Sequence, residues 1–314
     1  QAVRLKVLDF PFRNREPFLC FSGTVVNLPM KFTLGGCFAF MTLLHCCASE
    51  TAEMTTCPDV AAASCGAKGA ILLQAKGDSK GSRPIHLDQP SMEPYNFTNP
   101  RENMKFSQFG QDEILAPILS QIENGFFVES GAFDGETLSN TIYYESLGWQ
   151  GLLVEPGDAY FKIASKKRKA WVFHGAISPS KGSMQLHFTD DGVFGRENGT
   201  SSREVQAEPL EKLIRAIDSD RRTVDFWSLD IEGSECEVLE STDFQKLQVG
   251  ILMVEMNKTP ETNRCILAVM ERNRFQDIGK TLDFGSKVLD HVFINPEYVQ
   301  ERRLSLPEHI DGLH

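Results

Sequence analysis

Several absences bound what this sequence encodes. Its 314 residues carry a formal net charge of −11, so the excess of lysine and arginine that neutralises phosphates is missing, and nucleic acid is not expected as a substrate. The one basic run, Lys166 to Lys169, reads as a solvated helix end. No apolar run reaches the roughly 20 residues needed to span a bilayer. Phe32 to Leu44 comes nearest, but His45 interrupts it, so no stable membrane span is expected. There is no internal repeat and no heptad pattern. The GxGxxG fingerprint of a dinucleotide fold is also missing, which argues against a nicotinamide-dependent oxidoreductase. No metal-ligand set stands out.

Residue 1 is Gln rather than Met. The expectation is that residues 1–29 are an untranslated or non-native upstream segment and that Met30 is the start. Lys31 then supplies a positive n-region, Phe32 to Leu44 an apolar stretch, and Cys46, Cys47 and Ala48 small residues before a cleavage site, so 30–48 reads as a signal peptide. A type II signal anchor and a buried helix are the alternatives. Sequons at Asn96-Phe97-Thr98, Asn198-Gly199-Thr200 and Asn257-Lys258-Thr259 fit a secretory-pathway lumen or secretion. Cleavage after Ala48 would leave Cys57, Cys65, Cys236 and Cys265, compatible with two disulfides. Cys57 and Cys65 fall in one short segment. Cys236 and Cys265 read equally well as reduced core residues. Residues 49–105, rich in small and turn-forming residues, read as a flexible linker.

With 41% hydrophobic residues the chain can bury a sizeable core, and one domain over 106–300 with a tail at 301–314 is expected. Short apolar runs there alternate with helical patterns, the mark of a parallel α/β sheet. Ser107–Ser120 is expected as a helix capped by Ser107. Strands are expected at Gly125–Ser130, Gly151–Glu155, Trp171–Ile177, Val224–Asp230 and Gly250–Met256. Helices are expected at 140–147, 158–169, 209–217, 235–240 and 261–273. Ser183–Phe188 reads as a hairpin arm before a polar loop at 189–202, and Phe275–Lys280 with Val288–Ile294 as a terminal pair closing the sheet.

The chemistry concentrates at strand ends. After Phe126–Glu129 comes Ser130-Gly131-Ala132-Phe133-Asp134-Gly135-Glu136, a glycine-bearing turn that lets backbone approach a ligand. Its carboxylates Glu129, Asp134 and Glu136 would repel a diphosphate and attract a sulfonium cation carrying an α-amino group. Glu155, at the end of the next strand, is placed to accept the ribose hydroxyls of an adenosine. Asp230-Ile231-Glu232-Gly233-Ser234-Glu235 ends the fourth strand, where the ligand crevice of a doubly wound sheet lies. Glu232 and Glu235 also suit the first turn of a helix.

The segments FVESGAFDGETLSNT, LLVEP, VQAEPLEKLI, DFWSLDIEGSECEVLE and ILMVEMN together resemble the FkbM-type methyltransferase domain, in particular the animal form of Star-like proteins. The resemblance covers nearly all of Ser107 to Asn295. It implies a Rossmann-like class I methyltransferase fold, a seven-stranded mostly parallel sheet with an antiparallel edge hairpin, and S-adenosylmethionine as cofactor. By that likeness Glu129, Gly131, Ala132, Asp134 and Gly135 cradle the methionine part, Glu155 holds the ribose, and Ala176 to Ser178 lie near adenine. Asp230 and Glu232 border the transferred methyl. The expected reaction is O-methylation of a small-molecule or glycan hydroxyl, with Asp230, Glu232 or His174 as base. His174 also reads as a packed or capping histidine. The Star-like likeness implies a second expectation, an inactive domain binding a protein partner in secretory trafficking. Oligomeric state is open.

Overall fold

A computed structural model describes residues 20–21, 24–25, 84–179, 181–188, 201–256 and 258–314. The chain falls into two units, 1–66 and 67–314. In the first, β1 (Cys20–Phe21) pairs antiparallel with β2 (Thr24–Val25). The expected signal peptide, Cys57, Cys65, Asn198 and Asn257 lie outside the described residues. Among the described residues no helix is long and apolar enough to cross a membrane.

The second unit runs β3 (Leu87–Asp88), α1 (Gln111–Ile114), α2 (Ala116–Leu119), β4 (Phe126–Ser130), α3 (Ile142–Ser146), β5 (Gln150–Glu155), α4 (Asp158–Lys167), β6 (Trp171–His174) and β7 (Ala176–Ile177). It continues with β8 (Gly182–Phe188), β9 (Ser201–Glu208), α5 (Leu210–Ile217), β10 (Thr223–Leu229), α6 (Glu235–Ser241) and β11 (Gln248–Glu255). Last come α7 (Pro260–Arg272), β12 (Gln276–Leu282), β13 (Val288–Ile294) and α8 (Pro296–Arg302). The main sheet has eight strands in the order β12-β13-β11-β10-β4-β5-β6-β3. From β11 to β6 the pairings are parallel; β13 runs antiparallel to both β11 and β12. This is the α/β Rossmann-like sheet with its antiparallel edge hairpin, enlarged by one strand.

Both sheet faces are covered, which is why the central strands read as unbroken apolar runs. Successive residues point to opposite faces. Phe126, Val128 and Trp227 enter a core shared with α5, α6 and α7, whereas Phe127, Leu153 and Phe226 enter one shared with α2, α3 and α4. The chain order reverses between β4 and β10, and a ligand crevice opens at such a switch point, outside the strands' carboxyl ends.

Four expectations need correction. The eighth strand, β3, comes from the stretch assigned to a linker: its Leu87 and Asp88 pair antiparallel with Phe173 and Val172. Further along, the amides of Thr98 and Asn99 donate to Glu136 at 2.7 and 2.6 Å, so part of the stretch assigned to a linker is built into the domain. At the other end the expected tail also packs, since Lys280 and His314 exchange backbone hydrogen bonds and Leu313 is buried. The helix expected over Ser107–Ser120 is two single turns, because Pro117 lacks an amide proton and its ring excludes a continuous helix. Gly110, not Ser107, caps the first turn, at φ +78°. Finally, Trp171–Ile177 divides at Gly175: β6 stays in the main sheet, while β7 joins β9 and β8 in a second, three-stranded sheet.

Candidate active site

The turn after β4 sits tightly against the end of β10. Gly131 has φ +82°, and a Cβ there would collide with the carbonyl oxygen of Asp230. Only glycine fits that combination of backbone and neighbour. The amides of Gly131 and Ala132 both donate to the carbonyl of Val154, at 3.0 and 3.1 Å, tying the turn to β5. Gly135, at φ +74°, packs on Arg168 and Ala164.

The turn's carboxylates are held by nearby donors. Glu129 accepts from the Asn140 amide at 2.7 Å, from Ser139 Oγ at 2.8 Å and from Thr141 Oγ1 at 2.6 Å, and Arg168 Nη1 lies 3.3 Å away. Asp134 accepts from the amides of Glu136 and Thr137, at 2.9 and 2.6 Å, and from Thr137 Oγ1. Glu129, Asp134 and Gly135 therefore shape the cradle from beneath, leaving Gly131 and Ala132 nearest the crevice. Arg168 carries much of this organisation: it is 0% exposed and also bonds Glu145 and the carbonyl of Gly135. The reading of Lys166–Lys169 as a solvated helix end fails at Arg168, and Lys167 bonds Glu136 and Thr98 Oγ1. Glu129, Glu136 and Glu145 supply the counter-charges that make this burial tolerable.

Glu155 ends β5 with 6% exposure. Its oxygens accept from the amides of Gly157, at 2.6 Å, and Phe133, at 2.8 Å. Burial pushes its pKa up to about 7, outweighing those hydrogen bonds and the charge of Arg203, with Asp134 adding to the rise. A carboxylate offers about four acceptor positions, so these amides leave two for ligand hydroxyls. Phe133, at φ +50°, packs against Tyr160 with the rings tilted and their centroids 4.0 Å apart.

Across the switch point, Asp230, Glu232, Glu235 and Glu255 surround one ammonium, that of Lys258. Its Nζ lies 3.5 Å from Asp230, 3.2 Å from Glu232 and 3.6 Å from Glu235, and bonds Glu255 more closely still. Burial disfavours the Lys258 charge, but the surrounding carboxylates outweigh it and raise the pKa well above the ordinary lysine value. The Glu255 carboxyl is raised too, by burial first and then by the Asp230 charge. Glu235 is fully buried and caps its own loop through the amides of Ile231 and Gly233. Asp230 is the open member, its side chain 49% exposed. Glu232 takes φ +58°, a strained conformation of the kind that collects at functional sites.

His174 stands elsewhere on the rim. It is opposite Glu155 in register, stacks on Phe161 at 4.3 Å and pairs with Asp158 at 2.9 Å. Two strands separate β6 from β10, about 14 Å at ordinary strand spacing. His174 thus belongs to the edge near Ala176 and is not brought to Asp230 and Glu232. Beside Ala176, Ile177 pairs with Glu208, whose buried Oε2 has no hydrogen-bond partner. Near the cradle, Asn140 donates to Ser228 Oγ, while its own buried Oδ1 accepts nothing.

Sequence reasoning missed Arg168, Lys258, Glu208 and Asn140. The basic run, the SNT and QAEP segments and the NKT sequon carried them, but their roles depend on side chains meeting across strands.

A sequence model of the methyltransferase FkbM domain matches residues 129–284, the span holding the cradle, Glu155 and the acidic cluster. The chain carries an FkbM methyltransferase domain. Solved structures similar to it include a precorrin-6y C5,15-methyltransferase from Geobacter metallireducens, 11% identical, covering 63% of this chain and 94% of that one with TM-score 0.34. Another is an O-methyltransferase from Bacillus cereus in complex with SAH, 12% identical, covering 61% and 83% with TM-score 0.36. A third is a TehB-like SAM-dependent methyltransferase from Corynebacterium glutamicum, 11% identical, covering 60% and 89% with TM-score 0.35. No curated protein sequence matches the chain.

The cofactor of the FkbM domain is S-adenosylmethionine, and the residues present fit it. That molecule brings an ammonium, two ribose hydroxyls and an exocyclic amine, all donors. The crevice offers acceptors in the spare lone pairs of Glu155 and the unpartnered oxygens Asn140 Oδ1 and Glu208 Oε2, together with a backbone cradle that a Cβ at position 131 would fill.

Proposed function

We propose that the FkbM domain methylates a hydroxyl of a small molecule or glycan, and that it does so in the secretory pathway. The observation that carries the first part is the partition of roles along the rim. Two buried acceptors without a partner, Asn140 Oδ1 beside the cradle and Glu208 Oε2 opposite Ile177, lie on one side, while the open carboxylate of the acidic cluster, Asp230, stands next to the cradle across the switch point.

When bound, S-adenosylmethionine supplies an electrophilic methyl group on a sulfonium centre. Glu155 would hold the ribose, Gly131 and Ala132 would line the methionine part, and Ala176 to Ser178 with Glu208 would lie near adenine. Asp230 is the base of choice because it is the member of the acidic cluster left open to solvent; its Oδ would accept the acceptor hydroxyl's proton. Glu232, drawn onto Lys258, would fix the loop's shape and the local negative charge. Much of the rate gain would then come from positioning.

The compartment is supported by the Cys236–Cys265 disulfide, Cα atoms 5.9 Å apart, and by the exposed Asn96 of a sequon. Calorimetry with S-adenosylmethionine should give heat with the wild type and little with Glu155→Ala; no heat with the wild type ends the proposal. Transfer of labelled methyl to a panel of hydroxyl acceptors tests catalysis, and cofactor binding without transfer would mean a binding domain instead. Mass spectrometry of the secreted protein should find a glycan on Asn96; reduced cysteines and a bare Asn96 would rule out the compartment.

A further inference from the structure

A second cleft lies away from the cradle. It encloses about 380 Å3 and is lined by Phe109, Phe284, Leu282, Arg101, Lys105 and Asp112 among others. That size falls in the range of small-ligand sites, roughly 300–1,000 Å3. Its position is what makes it interesting. β12 runs parallel to β11, since each is antiparallel to β13, so Leu282 at the end of β12 shares a rim with Glu255. Asp290 stands opposite Glu255 in register, and Gln111, next to the cleft, donates to it at 3.1 Å. Ser107, also in the cleft wall, donates to the carbonyl of Ser139, the neighbour of Asn140. The cleft therefore lies on the same rim as Glu255, with one strand between them, and is tied through Ser107 to the segment that carries Asn140.

Its walls differ in chemistry. Phe284 is 97% exposed and meets Phe109 edge-on, with centroids 5.0 Å apart, making an open corner of two rings. An apolar ring exposed to that degree beside a cleft suits a ligand surface. The cations are unequally engaged. Lys105 pairs with Glu113 at 3.1 Å, whereas Arg101 donates one bond to the carbonyl of Lys105 at 2.9 Å, and among the described residues no carboxylate forms a salt bridge with it. Its remaining donors form a planar fork suited to a carboxylate. Asp112 does not oppose this charge pattern strongly, because it is buried and accepts from the amides of Phe106, Ser107 and Glu113.

We infer that this cleft is the methyl-acceptor site and that it selects a ring bearing one carboxylate, held by Arg101 with the ring lying on Phe109 and Phe284. The inference rests on the methyltransfer reading above. Uronic acids are the sugar source of that chemistry and benzoic acids the aromatic one.

NMR titrations of the full chain with methyl glucuronide, methyl glucoside and benzoate test it, each run beside calorimetry with S-adenosylhomocysteine. Glucuronide should bind about five- to tenfold more tightly than glucoside, the size of one charge-assisted contact in a partly solvated cleft. Arg101→Gln should erase that preference. Phe284→Ser should weaken both sugars while leaving the affinity for S-adenosylhomocysteine unchanged. Benzoate binding without glucuronide binding supports the carboxylate-ring chemistry and assigns the aromatic source. Equal binding of acidic and neutral sugars, or a preference that survives Arg101→Gln, overturns the inference. Heat with S-adenosylhomocysteine but no bound ring sinks the cleft alone, whereas ring binding without that heat sinks the methyltransfer reading.

Discussion

Glu155 makes the stability of this domain depend on pH in a way that can be worked out. Its carboxyl is raised from the ordinary 4.5 to about 7, with burial as the leading cause. The folded state therefore holds the proton more tightly than the unfolded chain. The stability this group allows is fully present below pH 4.5 and is lost as pH rises through 7. The whole shift corresponds to about 3 kcal/mol, of which about 2.5 kcal/mol falls between pH 5 and pH 8. Glu255 titrates with the same sign, so wild-type data alone would mix the two. Comparison with Glu155→Gln separates them: the variant's amide meets the amides of Phe133 and Gly157 badly, but that penalty does not change with pH and cancels from the slope. The melting temperature of the wild type relative to the variant should fall by about 5–10 °C between pH 5 and pH 8, given ~2–4 °C per kcal/mol for a domain of this size. Ribose hydroxyls favour the ionised carboxylate, so affinity for S-adenosylhomocysteine should also rise about tenfold from pH 6 to pH 8 in the wild type only. A gap between the two proteins that stays flat across this range would refute the reasoning.

Three further outcomes follow from the geometry. Gly131→Ala should abolish cofactor binding in calorimetry and cost ~2 kcal/mol or more in chemical denaturation, because the methyl group meets the Asp230 carbonyl at a left-handed φ. Lys258→Met should lower the melting temperature more at pH 8 than at pH 5, since the carboxylates left behind repel one another only when ionised. Replacing Cys236 and Cys265 by Ala should cost about 3–4 kcal/mol by urea denaturation, as expected for a loop closed over a separation of 29 residues.

How much of this was legible in the sequence depends on the range of the interaction. The apolar runs at Phe126–Ser130, Thr223–Leu229 and Gln248–Glu255 gave their strands away because both faces are buried and no polar alternation intrudes. The positions of the turn at Gly131 and of the acids Glu155 and Asp230 at strand ends were readable because the apolar runs stop there. Roles set by partners far along the chain were not. Nothing local says that Arg168 lies under Glu129, 39 residues earlier, or that Lys258 reaches Glu232, 26 residues earlier. Residues 84–105 misled for a related reason: their small and polar composition suits a linker, yet a few backbone hydrogen bonds to β6 and Glu136 suffice to dock them. The same limit applies to His174, whose strand lies three places from the one that carries Asp230.

That docked segment also bears on how the protein behaves when cut. Leu87 and Asp88 occupy hydrogen-bonding positions that β6 would otherwise present to any passing strand. A fragment trimmed to Ser107 would expose this bare edge and lose the amides that engage Glu136. It should associate with copies of itself in a concentration-dependent manner, so expression work on this domain is better begun upstream of residue 84.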